Sequence, residues 1–548
     1  MTDRETVLAE KPREESPDQK GEDVFSETNN SYLMGWRLYL TTIGLLFCIY
    51  LVNLETTIVS TSLVTITNNL HGFDRTSWVV TGYLITSTGF IVLWSKLSDI
   101  IGRKSSVLAT MAIFIAFSLG CGVSQSMSQL IICRAFQGIG AAGAYSVSIL
   151  IFYEMLPKSK LPLYGVFVSS SITLGFSTGP LLGGALDDYS NWRWVFYINL
   201  PIGGVAIFLL MIALPVSFGS NTTKQQQQHR LSRTNLLQID LVGAVLLLAS
   251  SLPLITVPNE VNVRFRWSDR ATIALLVISG IAWIAFLVWE HFITAAERRP
   301  APIFPTRFLV HRPWMGMLLT TFLVGFPSNV VVVSLPQRFQ VVTETSALSA
   351  GVRLLAYSCM SAVAVGVANI ASKKGQIPFI YFLILGSILH TIGVALLSTL
   401  PKNNNYFPAA GYVYEILAGA GVGTTFGILL LATPFVVEPK DLAVATGAII
   451  QFRFLGGAIG LGIASNVLNG MLKSRLHDVL SPEQLQTLLQ NTAIIRTLGV
   501  EQQKTIQSVF AQSYNVQFRI MIGFAAAQLP AAALLWRRGA TQLTAVEN

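Results

Sequence analysis

The sequence predicts an all-α membrane protein of about fourteen transmembrane helices: two six-helix bundles related by a repeat, plus two helices inserted between them. Three observations predict it. Hydrophobic residues make up 52% of the 548 and charged residues only 12%, against about 25% charged in an average soluble domain. Apolar runs of about twenty residues, enough to cross a bilayer's hydrocarbon core, recur along the chain. Short segments of the first half also return, at fixed spacing, in the second. A mean hydropathy of +0.56 excludes a water-soluble fold, which could not hide that much apolar surface.

Residues 1–34 carry nine Asp or Glu and four Lys or Arg without an apolar stretch. They lack the parts of a signal peptide and read as a disordered cytosolic tail, so the first span serves as its own insertion signal. A first bundle occupies 35–216, with spans near 37–62, 77–97, 105–124, 128–152, 163–186 and 195–216. Residues 217–238 include the polar, low-complexity run "GSNTTKQQQQHRLSR" and form a cytosolic linker, on which the Asn221 sequon would be silent. Residues 239–291 hold two inserted spans, near 239–257 and 271–291.

The second bundle, 292–536, has spans near 313–335, 349–371, 377–399, 411–433, 444–469 and 516–536, and a long outer loop over 470–515. In that loop Ser481 is a candidate N-cap and Pro482 a first helical residue, with Leu485, Leu488 and Leu489 on one side; the pattern predicts a surface helix rather than a ligand lid. Residues 537–548 are a second cytosolic tail. The four cysteines, Cys48, Cys121, Cys133 and Cys359, stand singly in apolar segments, which predicts packing rather than a disulfide or a zinc site.

An even number of spans puts both termini on one side. Arg103 and Lys104, Lys158 and Lys160, Lys224, Arg230 and Arg233, Arg298, Arg299, Arg307 and Arg312, Lys373 and Lys374, and Arg537 and Arg538 would share it, while the opposite loops hold Arg75, Arg193 and Lys402. The positive-inside rule therefore makes both termini cytosolic. The tail's net −5 leaves +14 on the remainder, and these loops account for it as orientation charge rather than as a nucleic-acid surface. Trp36, Trp78, Trp94, Trp192, Trp267, Trp314 and Trp536 fall near span ends, where an indole buries its ring and keeps its N–H hydrated.

The repeat is legible at two spacings. "DIIGRK" from Asp99 faces "NIASKK" from Asn369 at 270 residues, and "RAFQGIGAAG" from Arg134 faces "EILAGAGVGT" from Glu415 at 281. Repeated six-span units allow one bundle to rock against the other around a site near the midplane.

Within "TLGFSTGPLLGGAL", Gly175, Gly179, Gly183 and Gly184 follow at intervals of four, four and one. The first three share a face on which a partner helix can press closely, and Pro180 bends or weakens the helix there. A kinked packing seam without mechanistic meaning stays an open alternative. Glu55 lies deep in the first span, where a charge costs about +2.5 to +3.5 kcal/mol on insertion scales. A carboxyl that is neutral in one conformation and charged in another is the minimum equipment for proton coupling; a Glu that only joins helices is the alternative. Glu415 holds the repeat position of Arg134 and is a candidate second coupling or substrate group, or a side chain snorkelling from one turn inside its span. Arg353 and Arg453 lie inside or near spans as ligand contacts or helix-end anchors, and His390 reads as a packing histidine.

Here a resemblance becomes specific. "GFSTGPLLGG" is similar to the antiporter motif in the fifth helix of drug-efflux branches of the major facilitator superfamily. "SKLSDIIGRK" resembles the superfamily's loop motif between its second and third helices, and "RAFQGIGAAG" its fourth-helix motif with a buried arginine. "LETTIVSTSL" and "NWRWVFYINLPIGG" resemble the first-helix and sixth-helix motifs of the fourteen-span drug:proton antiporter family of fungal multidrug and toxin efflux. Two departures stand out: Ser95 replaces the usual glycine and Glu55 the usual aspartate. The resemblance implies that Arg134 takes part in proton transfer, keeping a nearby carboxylate ionised until the two are separated. It also implies that Asp99, Arg103 and Lys104 form a conformational latch in which Asp99 pairs with a neighbouring helix.

The function implied is secondary active transport by proton-coupled antiport, exporting amphipathic drugs, toxins or secondary metabolites by alternating access. The same scaffold could instead carry basic amino acids or siderophores at a vacuolar or plasma membrane. A transport-like sensor would need a larger cytosolic module than 34 residues. No GxxxxGK[ST], HExxH or GxSxG pattern is present, which argues against ATP as the driver and against an enzyme. The expected partners are a small amphipathic organic substrate, protons and the lipid bilayer, with no cofactor, metal or nucleic acid. The expected state is a monomer, multi-pass in the cell membrane, the vacuolar membrane being the alternative.

Overall fold

In the computed structural model, residues 33–157, 161–216, 218, 240–261, 265–296, 302–304, 306–375, 377–402, 406–438 and 441–536 are described. Both expected tails, nearly all of the 217–238 linker with its Asn221 sequon, and the basic residues Lys158, Lys160, Lys224, Arg230, Arg233, Arg298, Arg299, Arg537 and Arg538 fall outside these, as do the side chains of Lys373 and Lys374.

Helices follow because a segment in hydrocarbon must satisfy every backbone polar group within itself. The first half supplies α1 (Trp36–Asn69), α2 (Thr76–Ile101), α3 (Arg103–Val123), α4 (Met127–Met155), α5 (Leu161–Tyr189) and α6 (Trp194–Ala213). The inserted pair is α7 (Leu241–Glu260) and α8 (Arg270–Ala296). The second half supplies α9 (Arg312–Val341), α10 (Ala347–Gly375), α11 (Phe379–Leu397), α12 (Ala409–Val436), α13 (Leu442–Leu476) and α14 (Val500–Ala533). Among the described residues thirteen of these are long and apolar enough to cross a membrane; α5, at 29 residues, is the other long helix. Side chains punctuate them locally: Ser126 accepts from Gln129 N at the start of α4, and Asp240 from Gly243 N at the start of α7. A single residue, Gly102, turns the chain from α2 into α3 with φ +94°, a conformation that a side chain would strain.

The packing pattern occurs twice. In the first half α1 packs on α5 and α6, and α4 on α2 and α3; in the second, α9 packs on α13 and α14, and α12 on α10 and α11. The halves meet where α5 lies on α10 and α2 on α13, an exchange that the same symmetry relates. The inserted helix α7 covers the α2–α13 junction, and α8 lies outside it on α7. Polar contacts moor the pair: Trp78 Nε1 donates to Glu260 at 2.8 Å, Trp289 Nε1 to Asp240 at 2.8 Å, and Lys96 to the Pro302 carbonyl. Buried Glu290 accepts from Ile303 N and Phe304 N at 3.2 and 3.1 Å, fixing the approach to α9.

The structure corrects three expectations. The 470–515 loop is shorter, because α13 continues to Leu476 and α14 begins at Val500. The first turns of α14 are rich in Gln and Ser, which hides them from hydropathy, yet Ile506, Phe510 and Tyr514 recur on one face and are buried. Trp314 is not at an interface but fully buried, its ring 5.1 Å from that of Phe308. Glu415 does not snorkel; it is fully buried.

The predicted surface helix forms at Pro482–Gln490, with Ser481 and Gln484 in a reciprocal capping box, and seats Leu488 in the core. Beyond it, Asn68 at the end of α1 accepts from Thr492 N at 2.9 Å, joining this excursion to the other half. On the same face Asp188 of α5 accepts from Ala347 N and Leu348 N, the start of α10, at 3.2 and 3.1 Å, and Gln340 donates to Thr61 O at 2.6 Å. The two halves are thus tied together at the face that carries this helix.

Candidate functional site: a buried ion pair and a central cavity

The sequence of α1 alternates threonine and serine with leucine and isoleucine, so the helix can bury polar groups on every side. Glu55, near its middle, is fully buried, and so is Arg134 of α4; the structure brings the two into an ion pair. Arg134 Nε also donates to Val79 O of α2 at 2.9 Å, and Nη1 to Gln137 Oε1 at 2.8 Å. The second Glu55 oxygen accepts from Asn199 Nδ2 of α6 at 2.6 Å, and Gln137 Nε2 donates to Ser118 of α3 at 2.7 Å. The Tyr83 ring lies 4.5 Å from the guanidinium carbon. Five helices of the first half therefore converge on one carboxylate. Its charge is held by two donors, so neutralising it would leave Arg134 buried without a counter-ion.

Asn199 was not among the sequence candidates, although it lies inside the quoted "NWRWVFYINLPIGG". Gln137, one helical turn after Arg134, could have been found by that spacing alone.

Gly175, Gly179 and Gly183 all face α1. A Cβ on Gly175 would stand 2.9 Å from Tyr50 O, Leu54 N and Asn53 Cβ; one on Gly179 would overlap Thr57, and one on Gly183 would overlap Ile58 O. Ser62 reinforces the seam by donating to Gly183 O at 3.1 Å. Gly184 instead faces α10, where a Cβ would lie 2.6 Å from Ala347 O, and the Pro180 carbonyl abuts Gly351 of the same helix. One stretch of α5 thus touches its own half on one side and the other half on the other. The second half has a counterpart 281 residues on, since Gly456 and Gly460 of α13 press on Phe322 and Phe326 of α9. That spacing is the one already visible in "RAFQGIGAAG", and the sequence reading did not extend it to this pair.

At the end of α2, Arg103 is the hub. Its Nη2 lies 2.5 Å from Asp99 and 2.5 Å from Glu154 of α4, and Nε donates to Glu154 at 2.9 Å. Lys104 donates to Met211 O at the end of α6 at 2.6 Å. Glu154 is the partner that the sequence did not single out. Glu415 faces the second half's interior and interacts electrostatically with Arg353 of α10, whose guanidinium carbon is 5.5 Å from the Phe339 ring centroid. His390 is buried, with Nδ1 3.2 Å from Gln528 Nε2.

Between the halves lies a cavity enclosing about 660 Å³ of space not filled by atoms. Asn53 and Thr56 of α1, Tyr145 of α4 and Phe176 of α5 line one side; Asn329 of α9, Tyr357 of α10, Phe426 of α12 and Arg453 of α13 line the other. Glu55 is absent from the lining: it projects from α1 between Asn53 and Thr56, towards α4 and α6. Ion pair and cavity share a helix but not a surface.

Residues 45–461, three quarters of the chain, match the Major Facilitator Superfamily. The chain belongs to that superfamily. It is 39% identical over 507 residues to the MFS-type transporter FPY5 of Fusarium mangiferae, covering 92% of this chain and 85% of that one. It is 30% identical over 517 residues to the efflux pump bfoC of Aspergillus brasiliensis, covering 93% and 89%. Among solved structures, an inward-facing, unoccupied bacterial homologue of the human lysosomal transporter Spinster superposes with a TM-score of 0.61 at 13% identity, over 92% of this chain and 100% of that one, a likeness of fold alone. This superfamily member is therefore a multi-pass membrane transporter for small molecules and not an enzyme.

Proposed function

We propose that this transporter exports amphipathic organic compounds in exchange for protons, with both termini cytosolic in the cell membrane. Export is supported by the efflux pump bfoC among its relatives and by the glycine–proline segment. The observation that carries the proton reading is the placement of Glu55, fully buried, paired with Arg134, and one helix face away from the cavity.

The geometry supplies a coupling route. While Glu55 is ionised, Arg134, Val79 and Asn199 hold α1 against α2, α4 and α6. Protonation removes the charge attraction, and α1 is then free to shift. The glycine seam joins α1 to α5, so the two move together and carry Asn53, Thr56 and Phe176, part of the cavity wall, with them. Substrate bound between the halves biases the same helix from its opposite face, and two ligands that bias one two-state element are coupled reciprocally. Asp99, Arg103 and Glu154 would steady the cytosolic end of this movement, and Glu415 with Arg353 would serve as a second charged pair in the other half.

The test is reconstitution of the full chain into proteoliposomes with an imposed pH gradient and a panel of apolar dyes and toxins. Glu55→Gln keeps the side chain's size and its contact with Asn199 but cannot release a proton. Gradient-driven accumulation is expected to fall at least tenfold in this variant, while substrate–substrate exchange without a gradient persists. Full gradient-driven transport by Glu55→Gln would remove Glu55 from the role.

A further inference from the structure

We propose that the central cavity selects organic anions, with Arg453 as the group that recognises a carboxylate, enolate or phenolate on an otherwise apolar, ring-containing substrate. The inference rests on the reading above that this cavity holds the exported compound, and it adds the sign of the compound's charge.

Each of the other arginines embedded in the two halves is matched to an acceptor or an acid. Arg134 has Glu55, Val79 O and Gln137. Arg338 donates to Ala511 O at 3.0 Å, Asn515 Oδ1 at 2.9 Å and Pro401 O at 2.6 Å. Arg103 has Glu154 and Asp99, and Arg353 is in electrostatic reach of Glu415. Among the described residues Arg453 has neither a hydrogen bond nor an ion pair, and its Nε is buried without an acceptor. No Asp or Glu lines the cavity that it faces. A guanidinium has five N–H donors and no acceptor, and a site that leaves them unmatched away from water is incomplete without an anionic or carbonyl ligand.

The surroundings hold the group ready rather than satisfy it. The guanidinium carbon lies 3.9 Å from the Phe426 ring centroid and 5.7 Å from that of Phe176, one ring from each half of the molecule. Stacking on a ring fixes the plane of the fork while leaving its edge free to donate. Ser358, also lining the cavity, has a buried hydroxyl without a partner and provides a second polar contact. Tyr145, Tyr357, Val422 and Ile450 offer an apolar wall for the rest of the substrate. A cationic compound would meet like charge with no carboxylate to offset it, so the same arrangement discriminates against organic cations.

Three probes with one pyrene body test the claim: 1-pyrenebutanoate, 1-pyrenebutanamide and 1-pyrenebutylamine, titrated into the full-length protein in nanodiscs at neutral pH and followed by fluorescence anisotropy. The wild type is expected to bind the carboxylate about tenfold or more tighter than the amide, the scale of one charge-assisted hydrogen bond, and the amine more weakly still. Arg453→Gln is expected to lose about that tenfold for the carboxylate and to change the amide by less than about twofold, and Arg453→Lys to retain part of the preference. Equal binding of amine and carboxylate by the wild type, binding of no probe, or an unchanged carboxylate affinity in Arg453→Gln would each overturn the inference. If Arg453→Gln fails to fold, the charge series on the wild type decides alone. Transport of the same probes under a pH gradient separates the two readings. Anion-selective, Arg453-dependent binding without gradient-driven movement would fell proton-coupled export and leave the anion site standing. Gradient-driven transport that ignores probe charge would do the reverse.

Discussion

Arg134→Leu is expected to destabilise the folded protein by about 3–5 kcal/mol, because it strands a carboxylate in a place without water. Glu55 would keep only the Asn199 amide as a donor, and the Val79 carbonyl would lose its hydrogen bond to Nε. Midpoints of thermal unfolding for the purified protein, read by size exclusion after heating, are the measure. The companion variant carries Glu55→Leu as well. Removing both charges from a buried pair and replacing them with apolar groups is often neutral or stabilising, so the double variant should recover much of the lost stability. It should recover none of the gradient-driven transport. Recovery of stability without activity separates what the pair does for the fold from what it does for coupling.

Gly179→Leu should be as damaging by a different route. In lipid no hydrophobic force draws helices together, so α1 and α5 adhere through close packing of small residues. A Cβ at 179 already collides with Thr57 and comes within 3.0 Å of Ile58 N, which belongs to backbone and cannot swing aside. The helices must separate, and with them goes the joint movement of Glu55 and the cavity wall. Transport is expected to be lost, with a marked drop in the yield of monodisperse protein. Gly280→Leu on α8 is the control: a Cβ there meets nothing within 4 Å, and yield and transport should match the wild type. A folded, active Gly179→Leu protein would show that the seam is not a close-packed joint.

These residues also show how far the sequence could be read. Membrane spans were legible because backbone in hydrocarbon must be helical, and apolar length alone reports that. The glycine face towards α1 was legible because a four-residue spacing repeats on one side of a helix. The partners of charged groups were less so. Glu154 and Asn199 reach Arg103 and Glu55 across 51 and 144 residues of chain, and no local spacing encodes that meeting. The start of α14 was missed because its buried stripe of Ile506, Phe510 and Tyr514 is diluted by glutamines, so average hydropathy falls where amphipathic periodicity persists. Arg453 could not be assigned to the cavity from sequence, since α13 is apolar on nearly all sides and offers no polar face to orient it.

The central claim is that protons and substrate move in opposite directions through one Glu55-bearing helix. The most direct measurement is the internal pH of proteoliposomes loaded with a pH-sensitive dye, with no gradient imposed at the start and a transported compound added to one side. The account predicts that substrate moving down its own gradient drives protons the other way, and that Glu55→Gln carries the substrate with no proton movement. Equal proton flux in both proteins, or substrate movement in the wild type with internal pH unchanged, would contradict it.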